Sequence, residues 1–171
     1  GSNAAWRAGY TGEGVTVVVI DTGYSTHEEI TWDSSERITS TGEITDDALD
    51  NYNGHGTSVS GIIGAAAGNA LGGAGIAPGC SMRMIRVTDY NSSTGRTTAN
   101  TYAEAVAIGR AAVYYDADII NLSLGGYSYS EYLESVIEGA YKSGTLVVCA
   151  AGNDGIGSDV YPASYKGAVA V

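Results

Sequence analysis

The chain has 171 residues, a net charge of −11 and a pI near 4.3. That balance excludes nucleic acid, which needs a basic footprint, and argues equally against an anionic membrane surface. It favours solubility or, more sharply, divalent cations. With 44% apolar residues, 25 glycines and 2 prolines, the composition fits one compact domain with a real core and many tight turns, not a linker. No apolar run is long enough for a membrane span. Tyrosine dominates the aromatics, 13 against no phenylalanine. It suits half-exposed layers and clefts, because the ring covers apolar surface while the hydroxyl stays wet.

Gly1-Ser2-Asn3-Ala4 reads as an expression-tag remnant, which leaves residues 5–171 for the domain. Val15 to Ile20 is an unbroken apolar run apart from Thr16, the pattern of a strand covered on both faces. Residues 22–53 form a long polar connection containing Asp46, Asp47 and Asp50. The spacing of Val59, Ile62, Ile63 and Ala66 predicts a helix from His55 to Ala67, stopped by Gly68. A strand is predicted over 81–87. Thr101 and Glu104 form a capping box for a helix whose buried face would be Tyr102, Ala105, Val106, Gly109, Ala112 and Val113. A third strand is predicted over 119–122. A second capping box, Ser128 and Glu131, opens a helix with the stripe Leu133, Val136, Ile137, Ala140 and Tyr141, ended by Gly144. Strands over 146–150 and 168–171 complete the pattern. Cys80 and Cys149 fall in or beside strands and read as small buried hydrophobes rather than a disulfide framework. The alternation defines an α/β fold: a mostly parallel sheet with helices on both faces. Sites in such sheets gather outside the carboxyl ends of the strands.

Three polar residues from separate segments would converge on one such edge, two of them just past a strand's carboxyl end and one at the start of a helix. Asp21 closes the first apolar run and precedes Thr22-Gly23. His55 lies in Gly54-His55-Gly56-Thr57, at a helix start. Asn153 follows Ala150-Ala151-Gly152 after the fourth strand. A buried carboxylate can orient an imidazole and stabilise its charged form. Glycines on either side of the ring allow close backbone approach. A fixed amide can bind a developing oxyanion, a contact worth roughly 3–4 kcal/mol. Each motif has a plainer reading: a turn-capping Asp, a structural His, and an Asn153-Asp154-Gly155 turn. An aspartic-protease site would need a second apolar-Asp-Thr/Ser-Gly loop, which is missing here. A nucleotide-binding α/β domain would need a glycine-rich phosphate loop after the first strand, and that too is missing.

Together these segments resemble the subtilisin-like serine proteases, the subtilases. The resemblance runs from about Ala5 to Val171. Tyr10-Thr11-Gly12-Glu13-Gly14-Val15 leads into the Asp segment as it does in that family. Gly75-Ile76-Ala77-Pro78 matches the connection after the His helix. Asp118-Ile119-Ile120-Asn121-Leu122-Ser123-Leu124-Gly125-Gly126 matches the strand lining the cleft, and Tyr161-Pro162-Ala163-Ser164-Tyr165 also has a counterpart. The resemblance implies serine endopeptidase chemistry on polypeptide substrates. Asp21 would be the triad carboxylate, His55 the general base and Asn153 the oxyanion donor. Ser123, Leu124 and Gly125 would pair with an extended peptide. Ala151 and Gly152 would wall its primary pocket, and the stretch near Gly95 would clamp its other side. No cofactor is implied for the chemistry. A structural calcium is admitted near Glu29 and Asn69, and an extracellular or cell-surface location follows the family's habit.

Two departures qualify this. The family's second histidine, three residues after the first, is Ser58 here. Its nucleophile lies in a Gly-Thr-Ser-Met/Leu-Ala turn, and no such turn occurs in these residues. Neither Ser58, on the His helix, nor Ser164, in a loop, has that context. The expectation is therefore the amino-terminal part of a subtilase catalytic domain, truncated before the nucleophile helix. Its serine would lie beyond residue 171, and the isolated chain would be inactive. Uncovered apolar surface and an open sheet edge would then favour self-association or a complementing fragment. The alternative is a non-catalytic subtilase-fold module that binds peptide or a protein partner.

Overall fold

The computed structural model describes residues 2–155 and 157–171. Its strands are β1 (Thr16–Asp21), β2 (Ser34–Ile38), β3 (Ile44–Thr45), β4 (Ser81–Arg86), β5 (Thr88–Asn91), β6 (Arg96–Ala99), β7 (Ile119–Leu122), β8 (Leu146–Cys149) and β9 (Ala168–Ala170). Its helices are α1 (Ser2–Arg7), α2 (His55–Gly64), α3 (Thr101–Val113) and α4 (Glu131–Lys142). Seven strands form one sheet in the order β3-β2-β4-β1-β7-β8-β9, and β5 and β6 form a separate hairpin. Every pairing in the large sheet is parallel except β2 with β3. This is the α/β architecture expected from the sequence.

β1 lies mid-sheet, and Val17 to Asp21 are all buried. Its pleat divides the interior. Val18 and Ile20 join Ile108 of α3 and Leu133 and Ile137 of α4 in the main core. On the other face Met82 packs with Ile30 and Ala65 beside α2, and Asp21 points toward the start of that helix. Full burial of such a side chain contributes about 1.5–3 kcal/mol relative to exposure. Cys149 is buried on β8 and Cys80 is half-buried; both are free thiols. Burial pushes the Cys149 thiol up to about 12, so it behaves as an inert hydrophobe.

The helices differ from expectation in start and facing. Asn100, not Thr101, caps α3, its Oδ1 accepting from Tyr102 N and Ala103 N. Ser130, not Ser128, caps α4 through Leu133 N. Glu104 therefore does not reach back to a cap; it is buried in the body of α3. The buried face of α3 is Ala103, Glu104, Ala105, Ala107, Ile108 and Ala111, whereas Tyr102 and Val113 are exposed. Small alanines let α3 lie close against α4 and the sheet, and that contact outweighs the larger side chains. α2 ends at Gly64 rather than Ala67, and it buries Gly56 and Ser60 while Ile62 is 70% exposed. At Gly56 the helix lies so close to the carboxyl end of β1 that only glycine fits. On α4 the expected stripe buries Leu133, Ile137 and Ala140 but leaves Tyr141 exposed.

Four strands, β2, β3, β5 and β6, fall where only connection was expected. β2 is polar in sequence, yet it buries Glu36 and Ile38. Glu36 is held there by Arg110 Nε at 2.5 Å, so an ion pair replaces the usual apolar signal. β3, which pairs antiparallel with β2, and the β5–β6 hairpin are the others. Ser2, Asn3 and Ala4 fall in α1, and Trp6 of that helix donates from Nε1 to Ile76 O at 2.8 Å.

Candidate active site

β1 delivers Asp21 to the carboxyl edge of the sheet, 1% exposed. α2 begins at His55, which swings the imidazole over that edge. His55 Nδ1 and Asp21 Oδ1 are 2.7 Å apart. Thr22 N donates to the same Oδ1 at 2.7 Å. In the tautomer whose Nδ1–H donates to the carboxylate, Nε2 is left as an open acceptor. The second oxygen, Oδ2, is buried and finds no partner among the described residues.

The flanking glycines have separate reasons. A Cβ on Gly56 would sit 2.2 Å from Gly23 O and 3.2 Å from Asp21 Cβ, so no side chain fits beside the pair. Gly54 is the residue before the helix, with φ 73°, a conformation that penalises other residues. It brings no capping side chain. Asp50 does that work from a distance. Its Oδ2 accepts from Gly54 N at 2.9 Å and from Thr22 Oγ1 at 2.6 Å, and its Oδ1 accepts from Tyr52 N and Asn53 N. Thr22 Oγ1 in turn accepts from Gly56 N at 3.1 Å. Burial pushes the Asp50 carboxyl up, but the Thr22 hydroxyl and the three backbone N–H groups outweigh it and hold Asp50 below the usual carboxylate range. One acid thus ties the strand end carrying Asp21 to the loop that launches His55. Asp50 stands among scattered acids in the sequence. Only its placement four residues before a glycine that must cap a helix without a side chain sets it apart. At the position of the family's second histidine, Ser58 Oγ donates to Gly54 O at 3.1 Å and leaves the Asp21–His55 contact intact.

Asp21, His55, Ser123, Leu124 and Gly125 line one cavity of about 490 Å³, together with Thr97, Thr98 and Ala99 of β6. The hairpin near Gly95 therefore reaches the cleft through β6; Gly95 itself lies in its turn. A second cavity of about 250 Å³ is lined by Ser123, Leu124, Gly125, Gly152, Asn153 and Val160. The segment Ser123–Gly125 is common to both. Asn153 is brought to the second cavity but not to the lining of the first, and Ala151 lines neither. A side chain on Gly125 would press on Val160 and Tyr161 O, which keeps this segment narrow.

Glu29 and Asn69 do meet. Asn69 Nδ2 lies 3.5 Å from Glu29 Oε1, so the amide turns its nitrogen, not its oxygen, toward the buried acid. Among the described residues no group of three or more His, Cys, Asp or Glu gathers to hold a metal. Glu29 and Asn69 by themselves do not supply the six to eight oxygens that a calcium ion takes from carboxylates and carbonyls.

A parallel α/β sheet with an acid–imidazole pair at its carboxyl edge and a narrow extended segment alongside defines a hydrolase-like cleft. The subtilase family matches over residues 12–171. The chain is 38% identical over 169 residues to the minor extracellular protease Epr of Bacillus subtilis, covering 98% of this chain and 24% of that protein. It is 37% identical over 178 residues to the major intracellular serine protease of the same organism, covering 97% and 53%. It is likewise 37% identical to subtilisin Savinase of Lederbergia lenta, covering 98% and 58%. The chain belongs to the subtilase family, and it spans from about a quarter to under three-fifths of the length of these relatives. One relative is named extracellular and another intracellular, and no helix of the described residues is long and apolar enough to cross a membrane.

Proposed function

We propose that this chain supplies the acid, base and peptide-binding face of a subtilisin-type serine endopeptidase. The observation that carries the reading is the 2.7 Å contact between His55 Nδ1 and the buried Asp21, beside a cavity. Asp21 fixes the ring's tautomer and stabilises the imidazolium. His55 Nε2 takes a proton from a serine hydroxyl as it attacks the peptide carbonyl, then returns it to the leaving amine. Asn153 donates to the tetrahedral oxyanion. Ser123, Leu124 and Gly125 pair with the extended substrate, and Ala151 and Gly152 wall a pocket for one side chain. General-base help of this kind contributes about a hundred- to ten-thousandfold.

The serine comes from outside these 171 residues. Ser58 points back to Gly54 O on its own helix, and Ser164 is exposed in the turn after Tyr161. The isolated chain is accordingly inactive. Its exposed Ile62 and Val171, and the edge strand β9, support docking of a complementing segment or self-association. No cofactor enters the chemistry, and the protein works outside the cell or at its surface. The decisive experiment expresses the natural continuation of the chain and assays a chromogenic peptide. Turnover that is blocked by a serine-directed phosphonate and lost in His55→Ala supports the reading. Phosphonate-sensitive, His55-dependent turnover by the 171 residues alone would overturn the placement of the serine.

A further inference from the structure

The cleft contains a second buried acid that the proposed chemistry does not use. Glu104 is 7% exposed, on the face of α3 that lines the same cavity as Asp21 and His55. Its carboxylate makes no hydrogen bond among the described residues, and the residue lines the cavity. The ionisable groups around it are Asp21, His55, Tyr127, Tyr161 and Tyr165 in the cavity wall and Cys149 of β8 behind it; no lysine or arginine lines the space. Burial pushes the Glu104 carboxyl up to about 7. An acid desolvated without a partner is costly, and no cation among the described residues lines this cavity to relieve it. Leu133, Tyr161 and Tyr165 supply the apolar wall that an alkyl stem needs below a charged tip.

We propose that Glu104 is a specificity-determining residue: it selects a lysine or arginine side chain of the substrate that enters this cavity beside the Asp21–His55 pair. The inference rests on the peptidase reading and adds a substrate class to it. The preference is one of charge, since the walls accept the stem of any long side chain. It strengthens as pH rises through 7, because the neutral acid below that point has nothing to offer an ammonium group beyond a neutral hydrogen bond.

The test is binding by the chain as it stands, so no catalytic serine is needed. Fluorescently labelled hexapeptides carry one lysine walked through every position, matched by a set carrying norleucine, and anisotropy reads the affinities. At one register lysine binds about ten- to a hundredfold tighter than norleucine, the range for a hydrogen bond between charged groups. Glu104→Gln removes that difference and leaves norleucine binding unchanged, and the difference shrinks on going from about pH 8.5 to about pH 5.5. As a readout free of any variant, the lysine peptide shifts the carboxyl carbon titration of Glu104 to lower pH and norleucine does not. Equal binding of the two sets at every register, or a lysine preference that survives Glu104→Gln, overturns the inference while leaving the peptidase reading in place. Failure to bind any peptide overturns both.

Discussion

The two rims of the cleft are built differently. On the acid–imidazole rim, Asp21, Thr22, Asp50, Gly54, His55 and Gly56 are joined in one continuous hydrogen-bond network, with Asp21 and Asp50 almost fully buried. On the amide rim, Asn153 is exposed in a loop whose residues 151–155 are all exposed, and its side chain makes no hydrogen bond among the described residues. The difference follows from charge. On this rim the Asp21 and Asp50 carboxylates are each held by hydrogen bonds from their surroundings, which offsets the cost of burying them. An exposed neutral amide costs almost nothing while it remains solvated. Order is concentrated where desolvation demands it, and the solvated side of the cleft stays open.

On the proposed peptidase reading, the largest expected effects lie in catalysis by a form of the protein that carries the serine. Asp21→Asn lowers kcat by about 10⁴-fold, because an amide turned toward Nδ1 favours the wrong imidazole tautomer. Asn153→Ala lowers it by about 10²- to 10³-fold through loss of one oxyanion donor. The contrast between rims appears when the same variants are melted. Asn153→Ala leaves the unfolding midpoint in place, since nothing in the fold leans on that side chain. If Asn153→Ala destabilised the protein as much as a change on the other rim, the asymmetry described above would be wrong.

Asp50→Ala comes next and inverts the pattern, as a stability defect at a residue with no chemical role. It strands four donors, the Thr22 hydroxyl and the N–H groups of Tyr52, Asn53 and Gly54. Urea denaturation should show a loss of about 3 kcal/mol, the order expected when partly buried donors lose a charged acceptor. Asp50 also gives the network a pH signature. Its folded-state carboxyl lies below the ordinary value, so its contribution is fully present above the unfolded pKa and is lost as pH falls through the folded one. In Asp50→Ala that part of the acid sensitivity disappears. An unchanged acid limb would show that the Asp50 hydrogen bonds contribute little.

How much of this was legible in the sequence tracks the same asymmetry of causes. The α/β architecture was readable because Val15 to Ile20 and the α4 stripe carry their apolar pattern openly. The Asp21 and His55 positions were readable because strand ends and flanking glycines leave local marks. β2 was not, since its burial depends on Arg110, 74 residues away, meeting Glu36. The facing of α3 was misjudged because alanines win buried positions by being small, which no hydropathy pattern rewards. Asp50 was passed over for a related reason. Its significance lies in partners at both ends of a long connection, and no short motif encodes them. Glu104 was assigned to a cap on spacing alone; Asn100, one residue before Thr101, takes that role and leaves the acid to face the cleft.

The smallest effect belongs to the amide rim and provides the sharpest control. Tyr127 Oη donates to Asp154 across this rim, and both residues are exposed. The contact to Asp154 raises the Tyr127 hydroxyl above its ordinary value, so the phenol stays protonated throughout the neutral range and the bond persists there. A solvated bond of this kind exchanges one partner for water when it is removed. Tyr127→Phe should therefore move Tm by less than about 2 °C, the shift expected of an exposed change in a chain of this size. Because Tyr127 also lines both cavities, peptide affinity read in parallel separates a stability role from a binding one. A larger fall in Tm would mean that the loop carrying Asn153 is braced through Asp154. The amide would then be held in advance of substrate, as His55 is held by Asp21.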